Sequence, residues 1–205
     1  KIIAAPHPYP HRVSTVAWGV MSAGVSLLLG GGLLVAVVTF LTTVVIVSVN
    51  RRINRLGTPV FFQQVIGGFI AVVPAAVIAE VSDRLGFQLT PSQVIAAGIV
   101  VLLSGLPLVG SLQDAITGAP ITGVARFFEL LLMTAGIIAG VGTAIRLMEA
   151  VGIYLPTLTT LTRFDAVDLP IQVAGGALAS AAYALACYAE LRAVPVAFLS
   201  GAIGS

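Results

Sequence analysis

Residues 102–129 read LLSGLPLVGSLQDAITGAPITGVARFFE, and the fold turns on how this stretch is understood. An apolar run is interrupted by Ser104, Gly105 and Pro107, meets Asp114, turns through glycine and proline, and reopens as a second apolar run carrying Arg126 and Glu129. Proline inside a helix removes one backbone donor and collides with the carbonyl one turn back, so the spacing predicts a break near Gly105 and Pro107. Lipid cannot satisfy the backbone groups such a break frees. At membrane depth it survives only when buried in protein or lining a wet cavity. The stretch therefore reads as a substrate site.

The surrounding composition puts that site in a membrane. Of 205 residues, 58% are hydrophobic and 9% charged, where a soluble domain carries roughly a quarter charged residues. The expected fold class is all-α, a polytopic transmembrane helical bundle. A net charge of +2, spread between apolar runs, leaves no basic patch and sets nucleic acid aside as a partner. Cys187 is the single cysteine, so no disulfide framework is available, and its apolar surroundings suggest a buried thiol. His7 and His11 lie among Pro6, Pro8 and Pro10, which reads as an extended linker rather than a metal site. With no histidine in any span, a serine hydrolase would lack its base, and no phosphate-binding GxxxxGK[ST] loop occurs. No enzyme, metal or cofactor is expected. The chain begins at Lys1 without a signal pattern, and its last apolar run, 194–205, is shorter than the roughly 20 residues of a full span. It reads as a fragment.

In order, residues 1–13 form an N-terminal linker. Residues 14–147 form a first five-helix repeat with spans near 14–29, 33–49, 60–79, 92–112 and 123–147. Gly30, Gly31 and Gly32 divide the first two spans, since three consecutive glycines suit a turn better than a helix interior. Residues 50–55, with Arg51, Arg52 and Arg55, read as a basic loop ended by Gly57 and Pro59. Gln63 and Gln64 open the third span, either facing a cavity or bonding a neighbouring helix. Pro74 is expected to bend that span, and residues 80–91 to form a loop. In the fifth span Gly136, Gly140 and Ala144 make a flat face for close packing. A connector, 148–169, leads to 170–205, the start of a second repeat with a span at 171–189 and a truncated one after it.

A cytoplasmic N-terminus puts Lys1, Arg12, Arg51, Arg52, Arg55 and Arg192 inside and Arg84, Arg146 and Arg163 outside, as the positive-inside rule asks. Residues 175–204 echo residues 18–41: a small-residue-rich helix, a tight break, a second apolar helix. A repeat of five helices would enter the bilayer from opposite sides each time, giving inverted repeats, although shared membrane composition explains the echo too.

A charge at mid-bilayer costs about 2.5–3.5 kcal/mol on insertion scales, so each charged residue here needs a partner or a task. Arg126 and Glu129, three apart on one helix face, can pair with each other. Alternatively Arg126, or the helix start freed at the break, attracts a carboxylate, while Glu129 or Asp114 attracts an ammonium group or takes up a proton. Asp114 also reads as a solvated loop carboxylate, and Ser104 either bonds a solute or back-bonds within its helix. The set suits a zwitterion such as an amino acid. An ion or small-solute channel, or a structural membrane subunit that transports nothing, fits the same residues.

Taken together, residues 102–145, LLSGLPLVGSLQDAITGAPITGVARFFELLLMTAGIIAGVGTAI, resemble the threonine/serine exporter family in Gly105, Pro107, Asp114, Gly118, Gly123, Arg126 and Glu129. The glycines at 30–32 and the arginines at 51–55 are similar too, and the likeness covers about 17–147. Where the family reads Pro-Gly, this chain has Ser104-Gly105 with its proline at 107. The resemblance implies a ten-helix exporter of small hydroxy amino acids, an antiporter driven by proton influx in the bacterial plasma membrane. Substrate binding or proton coupling would fall to Ser104, Gly105, Pro107, Asp114, Arg126 and Glu129. The implied partners are an amino acid, protons and membrane lipid, with a homo-oligomer left open.

Overall fold

The computed structural model describes residues 11–85, 91–103, 105–153, 169–189 and 192–204. Among these there are eight helices and no strand: α1 (His11–Leu28), α2 (Leu33–Asn54), α3 (Val60–Leu85), α4 (Pro91–Leu102), α5 (Gly105–Ile116), α6 (Pro120–Ala150), α7 (Leu169–Ala186) and α8 (Val194–Gly204). Four stretches are long and apolar enough to cross a membrane: Leu33–Asn54, Val60–Val77, Pro120–Ala150 and Leu169–Ala186. The protein is a helical membrane bundle.

Several boundaries differ from the sequence expectation. The glycine-divided hairpin is present, with Gly30 at φ +76° in the turn. Beyond it, α2 runs on through Asn50, Arg51 and Arg52 to Asn54. Those residues are helical, not loop, because arginine is a good helix former and favours the negative end of a helix. Likewise α3 continues past residue 79 to Leu85, since no glycine or proline interrupts it between Pro74 and Gly86. The first half of the expected loop at 80–91 is therefore helix. α6 opens at Pro120, a position whose missing N–H costs nothing, and reaches Ala150. His7 and most of the 148–169 connector lie outside the described residues, while His11 begins α1.

The bundle is organised around the short helix α4. α4 packs on α1, α2 and α3, and its residues enter all three core clusters. Val94 and Ile95 join Val35, Val72, Ala75 and Ala144. Ala97 joins Val25 and Ala179, and Leu102 joins Ile46, Ala71 and Ile137. Gln93 at the start of α4 ties it to the end of α1, donating to the Leu29 carbonyl at 2.9 Å.

Two seams of small residues bring backbones together. Along α3 and α6, which run parallel, a Cβ on Gly136 would come within 2.8 Å of the Phe61 carbonyl, and one on Gly140 would strike the Val65 carbonyl. Along α1 and α7, a Cβ on Gly24 would sit 2.8 Å from the Gly175 carbonyl, and one on Gly175 2.8 Å from the Gly24 carbonyl. Ser14 Oγ donates to the Ala186 carbonyl at 3.2 Å, so α1 and α7 are antiparallel. Trp18 and Tyr183 meet edge to face at 5.8 Å across the same seam. Between α1 and α2, Thr43 Oγ1 donates to Ser22 Oγ at 2.7 Å, Ser22 in turn reaches the Gly19 and Thr39 carbonyls, and Thr39 Oγ1 donates to the Val35 carbonyl. Such hydroxyls act as glue between helices that gain little from hydrophobicity in lipid.

Candidate functional site

Where α4 stops is the first element of the site. Twelve residues rise about 18 Å, against a hydrocarbon core of roughly 30 Å. The last of them, Leu102, packs on Ile46, Ala71 and Ile137, residues in mid-course on α2, α3 and α6. Chain direction resumes with α5 at Gly105. The break therefore falls one or two residues before the expected one, and Pro107 occupies the first turn of α5, where its missing donor has no intrahelical acceptor to lose. Proline here starts a helix. Ser104 lies outside the described residues, as do the surroundings of Gly105 and Pro107.

The second element is a charge pair. α5 returns into α6 through a turn with Gly118 at φ +93° and a hydrogen bond from Ala119 N to the Asp114 carbonyl at 2.9 Å. Gly123 admits α5 closely, since a Cβ there would come 2.7 Å from the Ser111 carbonyl. This register sets Arg126 Nη1 2.7 Å from Asp114 Oδ2. Arg126 thus reaches across the hairpin to Asp114, while Glu129 is exposed on α6. The Asp114 side chain is 26% exposed and that of Arg126 51%. Oδ2 itself is shielded and accepts no aligned hydrogen bond, so the contact is charge pairing rather than a directed bond.

The third element was not singled out as a site by the sequence. A cavity of about 490 Å³ opens beside the tip of α4, walled by Val101 and Leu102, by Trp18 of α1, by Asn50, Arg51 and Asn54 of α2, and by Gln63 and Gln64 of α3. Gln63 Nε2 donates to the Thr58 carbonyl at 2.9 Å and reaches Asn54 Oδ1 at 3.3 Å. Asn50 Oδ1 and Gln64 Oε1 are buried and find no hydrogen-bond partner within the protein. Gly67 lets the α4 tip come this close, since a Cβ there would collide with Leu102 at 2.5 Å and lie 3.5 Å from Asn50 Nδ2. Asp114, Arg126 and Glu129 are not in its walls, so the structure separates the charge pair from the amide-lined hollow. The signal was present in sequence: Asn50 and Asn54 are one helical turn apart, but count as one face only once α2 is known to include them. Among the described residues, no three His, Cys, Asp or Glu side chains gather as a metal site. Cys187 follows the end of α7 and is partly rather than fully buried.

With these features in place, comparison with known proteins identifies the lineage. A family model described as "Putative threonine/serine exporter" matches residues 1–148. The chain belongs to the threonine/serine exporter family. The matched residues of this exporter family member include the break, the charge pair and the whole amide-lined hollow, leaving α7 and α8 beyond them. The "Threonine/serine exporter" of Corynebacterium glutamicum is 43% identical over 201 residues, covering 98% of this chain and 41% of that protein. The "Probable threonine/serine exporter" of Mycobacterium tuberculosis is 40% identical over 208 residues, covering 99% of this chain and 38% of that protein. The chain spans about two fifths of the length of these curated relatives. No solved structure matches it.

Proposed function

We propose that the chain supplies the first transmembrane repeat, and the start of the second, of a secondary transporter that moves threonine and serine out across the bacterial plasma membrane as protons enter. The observation that carries this reading is the end of α4 at mid-bundle depth beside a polar hollow that opens between the end of α2 and the start of α3, a broken helix next to a polar cavity being a construction by which carriers form a solute site. The names of the two relatives supply the substrate class. The arginines at the end of α2 favour a cytoplasmic location for that face and for the N-terminus. The antiparallel pairing of α1 with α7 through Gly24 and Gly175 supports α7 as the restart of the pattern in the opposite sense.

Asp114 is our candidate for the proton carrier, with Arg126 as its counter-charge. A proton on Asp114 removes its Coulomb partner from Arg126, and the α5–α6 contact then loosens. Loss of the proton restores it. Proton occupancy and hairpin geometry are coupled in this way. Glu129, exposed two residues beyond Phe127 on the same helix, is the second candidate, and the first turn of α5, which opens at Gly105, offers helix-start N–H donors to a carboxylate, with Ser104 and Pro107 as its neighbours in sequence. No covalent chemistry and no cofactor are involved in this reading.

The test is efflux from proteoliposomes carrying the full-length protein, with and without a pH gradient. We expect threonine and serine efflux that rises with the gradient and accelerates when substrate is present on both sides. Conductance without such exchange would mean a channel. Gradient-driven flux unchanged in the Asp114→Asn, Glu129→Gln double variant would remove both carboxylates from the coupling step.

A further inference from the structure

The geometry points to the amide-lined hollow at the tip of α4 as the binding site for a small zwitterion, with Arg51 receiving its carboxylate and Asn50 and Gln64 receiving its ammonium and hydroxyl hydrogens. This inference rests on the exporter reading for its choice of amino acid, not for the site itself.

Two amide oxygens of the hollow are orphaned. Buried polar atoms in folded proteins are almost always partnered, and those that are not mark an incomplete site or a bound group. Asn50 Oδ1 and Gln64 Oε1 are both of this kind, come from different helices, and line one cavity. They are not fold glue, because the glue of this bundle has its partners: Ser22, Thr39 and Thr43 are fully buried and all bonded. Two acceptors without donors call for a ligand rich in N–H or O–H.

The remaining walls fix the ligand's charge. The last turn of α4 ends here, and the carbonyl end of a helix carries partial negative charge that favours a cation. Arg51 contributes a full positive charge, and a guanidinium has five donors, so its existing contact within the protein leaves others for a carboxylate. No carboxylate is among the walls. A net cation would face the Arg51 guanidinium with no carboxylate in the cavity walls to hold it, and a simple anion would leave both amide oxygens unmet. A neutral zwitterion satisfies both sets. At about 490 Å³ the hollow lies within the range of small-ligand sites. It sits at the arginine-bearing end of α2, the side from which an exporter collects its cargo.

A zwitterionic lipid headgroup presents the same ammonium with a phosphate in place of the carboxylate, so the test must separate the two sources. Trp18 lines the hollow and is the one tryptophan of the chain, which makes its emission a direct gauge of occupancy. The full-length protein is placed in phosphatidylglycerol vesicles, and emission is recorded as the difference from a Trp18→Phe variant while L-threonine or phosphoethanolamine is titrated. We expect a saturable change with threonine at the concentration that half-saturates efflux. Asn50→Leu and Gln64→Met, which keep side-chain volume, should each raise that concentration about tenfold or more, while Thr143→Ala on the exposed side of α6 leaves it in place. If neither variant folds, the emission titration on the unaltered protein decides alone. An absent threonine response, a response to phosphoethanolamine only, or half-saturation unmoved in both variants overturns the site. Should threonine saturate the signal and the variants weaken it while the vesicles transport nothing, the site stands and the export reading falls.

Discussion

The hydroxyl seam between α1 and α2 and the amide-lined hollow at the tip of α4 are both buried and both polar, yet they have opposite characters. In the seam every hydroxyl hydrogen has a destination within a helix or across to its neighbour, and Ser22, Thr39 and Thr43 are sealed from solvent. In the hollow two amide oxygens have none, and the walls stand apart around about 490 Å³. A polar group that is bonded holds helices in register. An amide oxygen left unmet on the wall of an open cavity, on a side chain only partly buried, is placed to receive a group from outside the bundle. The helices differ in a related way: α1 with α7 and α3 with the second half of α6 meet through glycine on backbone, whereas α5 and the first half of α6 add a part-exposed charge pair to the glycine contact at Gly123.

Substitutions can break this contrast, and the largest effect belongs to the sealed side. Gly140→Val drives a branched side chain into the Val65 carbonyl, and because backbone cannot swing aside, the loss should be about 1–3 kcal/mol or more, read as a lower thermal midpoint in detergent and a lower folded yield. Less severe is the Ser22→Ala, Thr43→Val pair, which removes the inter-helix bond. About 0.5–1.5 kcal/mol of stability should go, with the half-saturation of efflux unaltered. Breaking the Asp114–Arg126 pair with Arg126→Gln should alter stability by under about 1 kcal/mol, since the pair is part-exposed, and should instead flatten the dependence of efflux on the pH gradient. The smallest stability change is expected for Gln64→Met, which takes away an unsatisfied oxygen. Its thermal midpoint should stay level or rise slightly while substrate affinity falls.

Much of the architecture was legible in the chain because bilayers impose length and apolarity together. The glycine-divided hairpin, the packing face of Gly136, Gly140 and Ala144, and a break in the fourth apolar run all follow from local residue chemistry, and each is present. Where helices end at charged residues was harder to read. Arg51, Arg52 and Glu80 are as content in a solvated helix as in a loop, and α2 and α3 accordingly overrun their apolar cores. The site depended on that detail. With residues 50–54 read as loop, Asn50 could not be seen to face Gln64, and the partner of Arg126 could not be known before the register of α5 against α6, which Gly123 sets by close approach. Sequence spacing sees pairs on one helix. It is blind to pairs between helices.

A wet, polar hollow reaching into the bundle beside the end of α4 is the central claim, and solvent access to its wall tests it most directly. In full-length protein freed of other cysteines, Cys187 included, Val47→Cys lines the hollow and Thr39→Cys lies in the sealed seam. The measurement is the rate of labelling by a membrane-impermeant maleimide applied from the cytoplasmic face of inverted vesicles. Rapid labelling at position 47, slowed by threonine, with position 39 inert, is the expected result. Equal inertness at both positions would contradict it.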